Sequence, residues 1–590
     1  MSLTHPAHVP HPAHPRGSWR RRPVPGSRAV RAAAALVLAL VMAGCAAIPT
    51  SGPVRTGDVV LQSPGFAVPL ANDPPADGTP LEIVNGFLLA GAAGLSDEFT
   101  VARKVLTPQA ATAWDPVARV LVYPLLGGGP EITVSESGNV VVDVPVQGSL
   151  DRDGVYTEAP ADAHQQLQLT LSRTSDDQWR ISGLDDGVLI SATDFENEYR
   201  AVPLYFASAD GTQLVPDVRW LPASKVAVYA VRALLDGPVD WLRDAVRTGT
   251  PEGSRLGPQS VSITDQVALV DLAGGAATAD ESQRNLLLAQ LSATMERLPG
   301  TAVSQVEVSV AGGLPWVSTA NPATLPIRDI SSTSGPYALS DDVLVELADS
   351  TITPVEGVAP LPAGSRSPAV SLDGTVRVAL TSPGVLVRLL PEEAGATTVL
   401  VGSQLIAPAV DRYNWVWSGE VESVGALTAI TADGTRTTVA ADWLEALSIR
   451  SISVSRDGAR IAIVHTGTTD GRVEVDVAAI VRDESGRPLR IGDRFQVGLS
   501  VEDAVQVAWA DEASLVVLGR RGSVDALVAN QVPVGGPTTS LPLVRGAVSV
   551  AAGLGNRSIY LADADGGLFS RQGTTWVAVG EGVIDPTFPG

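Results

Sequence analysis

The 590-residue chain reads as a multidomain protein: an α+β cone-like domain, an α+β sandwich of order βαββαβ and an all-β propeller of about six blades. Three observations predict this. Helical periods near residue 81 give way to alternating strands. A strand–helix–hairpin–helix–strand series follows between residues 199 and 312. From residue 313 helical periods vanish and one strand–turn–strand unit recurs to the end of the chain.

Residues 1–44 stand apart. Arg16, Arg20, Arg21, Arg22, Arg28 and Arg31 precede Cys45, with no acidic residue among them. The apolar run 29–43 is too short to cross a hydrocarbon core of ~30 Å as a helix. A basic region, a short apolar core and small residues at the cut predict a secretory signal peptide over 1–44. Met42-Ala43-Gly44-Cys45 is similar to the bacterial lipobox, although Met42 stands where Leu is usual. That similarity implies a diacylglycerol on the Cys45 sulfur and cleavage between Gly44 and Cys45. A triacylated cysteine exceeds the two-chain threshold for stable anchoring. An uncleaved apolar anchor would leave the body in the same place. Cys45 is the only cysteine, which excludes a disulfide framework and a Cys-x-x-Cys motif. The His-Pro pairs at His5, His11 and His14 resemble a metal-binding tract, but low complexity ahead of a signal peptide needs no such role.

Six of the 41 basic residues and none of the 64 acidic ones precede Cys45, so the remaining chain carries a net charge of −29. Such a body is repelled by nucleic acid and by anionic headgroups. Lys104 and Lys225 are the only lysines.

Residues 45–80, with Pro49, Pro53, Pro64, Pro69, Pro74 and Pro75, show no helical or strand period and predict a flexible tether. Its mean span is roughly 30–35 Å. The segment 81–198 opens with helical spacing (Ile83, Phe87, Leu88, then Phe99, Ala102, Leu106) before Pro108. Strands follow over 131–146, 164–174 and 178–184. Leu167, Leu169 and Leu171 alternate with Gln166, Gln168 and Thr170, as in a half-buried strand. Helices followed by a curved antiparallel sheet resemble cystatin/nuclear-transport-factor-like domains, a fold that hosts many roles.

In 199–312, residues 200–207 predict a strand and 224–238 a helix with Val226, Ala230, Val231, Leu234 and Leu235 on one face. Gly237 and Pro238 stop that helix. Residues 260–263 and 266–272 form a hairpin, 280–300 a second helix through Leu287, Leu291, Thr294 and Leu298, and 303–310 the last strand.

In 313–590 the units 367–380 and 450–464 share a Ser-x-Asp-Gly turn between two strands. Weaker copies centre their turns near Asp411, Asp511 and Gly555. Repeats of 40–50 residues with several strands each are propeller blades.

In this order, lipobox, cone, βαββαβ sandwich and propeller resemble the actinobacterial LpqB lipoprotein family. The stretches that carry the resemblance are 45–54, 101–116, 202–222 and 231–238. Its sandwich resembles the GerMN domain shared with spore-germination lipoproteins, for which cell-wall ligands have been suggested. Membership implies a lipid-anchored protein on the outer face of the cytoplasmic membrane. It also implies a partner, the extracellular domain of an MtrB-type two-component sensor histidine kinase, and through it an influence on envelope and division genes.

Catalytic constellations are sparse. Beyond residue 45 only His164 and His465 occur, and they fall in different predicted domains as ordinary strand-end residues. No Gly-x-Ser-x-Gly elbow or phosphate-binding Gly-x-x-x-x-Gly-Lys loop is present. Paired carboxylates are the one enzymatic route left. Asp373, Asp411, Asp457 and Asp511 recur once per blade, however, which marks a turn device. No catalytic residue, metal or cofactor is therefore expected. Tyr413, Trp415 and Trp417 alternate along one predicted strand and form a partner-binding candidate if that face is exposed; the other reading is blade core. Trp220 and Trp241 are weighed in the same way. The rival functions are a carboxylate-based envelope hydrolase and a receptor for cell-wall glycan.

Overall fold

The computed structural model describes residues 72–590 except 126–127, 136–138, 329–334, 349–350, 392–394, 468–470, 554 and 556–557. Gly44, Cys45 and the predicted tether up to residue 71 lie outside the described residues. Among the described residues no helix is long and apolar enough to cross a membrane.

Thr79 caps the helix Pro80–Ala92 in a reciprocal capping box with Glu82. Pro108 does not end the helical region. It occupies the first turn of another helix, Pro108–Ala113, behind the N-cap Thr107, where its missing N–H costs nothing. Two four-stranded sheets complete this domain. The strand-like stretch 131–146 is a hairpin, Glu131–Val134 against Asn139–Pro145. Ile83, Phe87, Trp114, Val142, Leu171 and Ile181 join the helices and sheets in one core.

The sandwich departs from βαββαβ by two strands, the two-residue Val246–Arg247 beside Tyr199–Ser208 and a longer one on its other side. Tyr199–Ser208 turns back as a second strand, Leu214–Pro222. The turn between them is Ser208-Ala209-Asp210-Gly211, the blade turn again, with Gly211 at φ +71°. The domain therefore divides into two three-stranded sheets. The longer extra strand escapes a hydropathy reading because Asp217 and Arg219 interrupt its apolar pattern. Both are buried, joined by a bidentate ion pair at 2.9 and 2.8 Å. The helices Val226–Asp236 and Glu281–Met295 place Val231, Leu234, Leu287 and Leu291 in the core. Buried Gln290 accepts from the Gly249 N–H and donates to the Tyr205 carbonyl, tying its helix to two loop and strand segments.

The described residues of the propeller form six blades. Four are separate four-stranded sheets; the other two share the 19-residue strand Arg436–Val454. This strand is outermost in the third blade, where Ala440 faces Ala426. It is innermost in the fourth, where Val454 faces Ile461. Five turn repeats give six blades because the first blade is not contiguous in sequence. Its innermost strand is Ile584–Thr587, paired with Tyr337–Ser340. The ring is thus closed by chain segments from opposite ends of the domain. Apolar clusters between neighbouring blades hold the ring together, such as Trp417 with Leu427, Ile452, Ile461 and Ile480.

Removing residues 584–590 leaves Tyr337–Ser340 as an unpaired inner edge, and sheet edges template aggregation. We expect a lower melting temperature and concentration-dependent oligomers. Circular dichroism melts and size-exclusion chromatography check this; an unchanged monomer with an unchanged melt would refute the closure.

Candidate functional site at the propeller mouth

The innermost strands of all six blades line a central channel of about 230 Å³. In five blades the turn that follows the innermost strand lies at the same mouth, and these turns are hydrogen-bonded to one another. Asn414 donates to Asp373, Arg412 to the Asp457 carbonyl, Arg460 to the Glu512 carbonyl and the Gly555 N–H to the Ala510 carbonyl. The Gly590 N–H adds a bond from the first blade to the Val370 carbonyl of the second at 3.0 Å. Each aspartate shapes its own turn. Asp457 accepts from Ser455 Oγ at 2.7 Å and from the Ala459 N–H at 2.8 Å. Asp373 accepts from Ser371 at 2.6 Å, and Asp511 from the Ala513 N–H at 2.9 Å.

The sandwich sits on part of this ring. Arg412 donates to Asp210 and Thr212 in its extra turn. The Tyr205 hydroxyl donates to Glu512 Oε1 at 2.6 Å, and Arg297 reaches the same oxygen at 3.3 Å. Arg460, 1% exposed, is paired with Asp457, donates to the Glu512 and Pro216 carbonyls and lies 4.6 Å over the Trp509 ring. Burial and the Glu512 carboxylate push the Tyr205 hydroxyl far above its ordinary range, so it remains a donor. Burial alone would raise the Asp210 carboxyl. Hydrogen bonds from Ser208 and Arg412 outweigh it and hold that carboxyl well below the usual carboxylate range.

The first domain completes a three-way junction. Glu158, 6% exposed, accepts from Ser500 Oγ at 2.8 Å, from the Thr538 N–H at 3.1 Å and from Thr538 Oγ1 at 2.7 Å. Arg219 donates to the Asp153 carbonyl at 2.7 Å. Trp220 stands between all three domains: its ring lies 4.6 Å from Phe195 and 6.0 Å from Tyr156, and its Nε1–H donates to the Gly535 carbonyl at 2.8 Å.

Comparison with known proteins identifies the parts. Residues 73–196 match the family model "Lipoprotein LpqB, N-terminal domain", 203–313 "Sporulation and spore germination", and 342–589 "Lipoprotein LpqB beta-propeller domain". Lipoprotein LpqB of Bifidobacterium longum is 31% identical over 494 residues, covering 81% of each chain. The chain belongs to the LpqB lipoprotein family. The Cutibacterium acnes relative is 28% identical over 85% of this chain and 87% of its own; that of Mycobacterium tuberculosis is 28% identical over 83% and 86%. Among solved structures, the tandem GerMN domains of GerM from Bacillus subtilis align at 18% identity and a TM-score of 0.18, covering 25% of this chain and 58% of that one. The hydrazine synthase of Kuenenia stuttgartiensis aligns at 11% identity and a TM-score of 0.30, covering 43% and 79%. Membership in this family makes the chain a membrane-anchored, extracytoplasmic lipoprotein carrying a GerMN-type domain and a β-propeller.

The aromatic candidates are spent inside the molecule. Tyr413, Trp415 and Trp417 do not share a strand face, because Asp411 bends the chain. Its Oδ1 accepts from the Tyr413 and Trp415 N–H groups, and the strand begins only at Val416. Trp417 is fully buried and donates to Asp411 Oδ2 at 2.8 Å. Tyr413 lies under Arg412 and Arg482, against Gly486, where a Cβ would come within 2.3 Å of the ring. Trp415 is half-buried against the core between the third and fourth blades. Trp241 stacks on Phe495 of the propeller, with centroids 5.8 Å apart and planes at 9°. Trp220 and Trp241 are therefore contacts between this chain's own domains.

His465 is not at a strand end. It sits inside strand Arg460–Gly467, 1% exposed, with Nε2 at 2.7 Å from buried Asp476. With Glu474 these residues form the one His/Asp/Glu group among the described residues close enough to share a cation. Arg494 Nη1 already lies 3.2 Å from both carboxylates, so the group is an ion-pair network that runs from buried His465 and Asp476 to exposed Arg494. His164 does begin a strand and lies exposed, 3.7 Å from Asp143.

Replacing Arg460 with Ala strands Asp457 in the interior, a change that typically costs ~3–5 kcal/mol. We expect looser docking of the sandwich on the fourth and fifth blades, read as faster hydrogen exchange at 214–217 and 512–514. Exchange at wild-type rates would contradict this reading. Because the Asp210 carboxyl is lowered on folding, its contact with Arg412 contributes fully above the ordinary value of 3.8. That contribution is lost as pH falls through the lowered value. Arg412→Gln should therefore destabilise the protein near neutral pH and differ less from wild type in acid, as paired melts at several pH values will show.

Proposed function

We propose that this lipoprotein, held by acyl chains on Cys45 at the outer face of the cytoplasmic membrane, docks the extracellular domain of an MtrB-type sensor histidine kinase and biases its signalling. It acts without catalysis. Family membership supports the lipoprotein character. The observation that carries an adaptor reading is the junction, where buried polar contacts and aromatic packing fuse three domains into one rigid platform. A partner shifts a two-state sensor only by its differential affinity for the two states. Rigidity supports such discrimination, because a flexible string of domains could follow the sensor through both conformations.

A carboxylate hydrolase finds less support. Asp457, Asp511 and Glu512 share a cleft, but each is bound by an arginine, a tyrosine hydroxyl or a backbone N–H. A glycan receptor built on an aromatic platform loses its candidates, since Trp220, Trp241 and Trp417 pack internally.

Pull-down of the full chain in detergent against the purified ectodomain of its host's MtrB-type sensor tests the proposal. We expect saturable binding, weakened by variants that loosen the junction, such as Trp220→Ala. No binding at about 50 μM of folded partners, a concentration that would reveal even a weak complex, would overturn the adaptor reading.

A further inference from the structure

Between the sandwich and the fourth to sixth blades lies a cleft of about 520 Å³, beside the channel mouth. This volume falls in the ~300–1,000 Å³ range of small-ligand sites. Its walls carry four guanidinium groups, Arg297 and Arg328 from the sandwich side and Arg456 and Arg460 from the propeller, against the carboxylates Asp457, Asp511 and Glu512. In a chain of net charge −23 a local excess of cations runs against the overall balance.

The acids are already engaged. Asp457 is held by Arg460, Ser455 and Ala459, Glu512 by Tyr205 and Arg297, and Asp511 by the Ala513 N–H. The donors are not used up. Arg328 Nε and Arg460 Nε are buried without a hydrogen-bond partner. Arg328 approaches its nearest carboxylate, Glu296, only at 4.0 Å, and is placed 5.9 Å over the Tyr205 ring. Arg456 adds charge to this wall rather than spare donors: it packs against Gly553, where a Cβ would lie 2.7 Å from its Nη2. The spare hydrogen-bonding capacity of the cleft is thus on the donor side, presented by planar forks that match oxyanions.

We propose that this cleft binds a small ligand bearing a phosphate or carboxylate group, held by Arg297 and Arg328 on one wall and Arg456 on the other. Such a ligand touches both domains at once and stabilises their docked arrangement. The body's net negative charge disfavours polyanions, so the site selects small molecules.

The test uses the full chain in detergent, titrated calorimetrically with inorganic phosphate, glucose 6-phosphate and glucuronate. These separate a free anion, a phosphate ester and a sugar carboxylate. We expect at least one to bind and raise the melting temperature. Arg328→Gln, at a half-exposed position, should weaken that binding about tenfold or more, as loss of a charge-assisted pair does. Arg297→Gln provides the second variant. The unliganded melts of both variants show whether they fold. Absence of binding by all three probes up to about 10 mM, a limit that excludes even weak sites, overturns the proposal. Binding of equal strength in both folded variants overturns it as well.

Discussion

The contact on which the rest of the structure depends is the buried pair of Asp457 and Arg460. Removing two charges from water costs several kcal/mol per ion, and mutual attraction offsets this only when the remaining hydrogen-bonding positions are filled. Here they are largely filled, and by different parts of the molecule. Asp457 shapes its own turn through Ser455 and Ala459, while Arg460 donates to Glu512 of the fifth blade and to Pro216 of the sandwich. One side chain thereby makes the position of a turn, a neighbouring blade and a second domain mutually dependent. Glu158 does the same without a cationic partner, its oxygens filled by Ser500 and Thr538.

Closure of the propeller imposes a second constraint that acts through the same ring. The first blade borrows Ile584–Thr587 for its inner edge, and the residues just beyond this strand take the place that an inner turn holds in the other five. Phe588 packs against Tyr560 and beside Gly553, and Gly590 bonds to Val370, so the seam is bridged on both sides. Turn-to-turn hydrogen bonds and, at the seam, this ring packing together run round the rim on which the sandwich rests.

Much of this was legible in sequence, and the exceptions have physical causes. The repeated Ser-x-Asp-Gly turn announces the blades because its side chain, not a distant contact, determines its shape. The same turn at Ser208–Gly211 passes unremarked because the strand after it carries Asp217 and Arg219, which look solvent-facing until they are seen to neutralise each other. The alternation of Tyr413, Trp415 and Trp417 is real in the sequence, but it implies a shared face only if the backbone is extended, and Asp411 folds it. His465 looks like a strand-end residue because its partner Asp476 belongs to the next strand. The junction is the least legible feature of all: Glu158 and Thr538 are 380 residues apart, and one sequence holds no trace of their pairing.

The composition, unremarkable as a list, explains how such a junction is built. Nearly all the basic residues are arginine, with lysine only at Lys104 and Lys225. An ammonium is a compact, strongly hydrated point charge, whereas a guanidinium is planar, less tightly hydrated and donates in several directions at once. Arg219 uses this to hold Asp217 with one edge and the Asp153 carbonyl with the other. Arg482 reaches Asp411, Gly458 and Gly486 while stacking on Tyr413. Arg412 joins a neighbouring blade's turn to the sandwich. Each spans two or three segments from a single position, which lysine's geometry does not allow. In this molecule arginine is therefore a structural connector, and an Arg-to-Lys exchange at these positions keeps the charge while losing the connection.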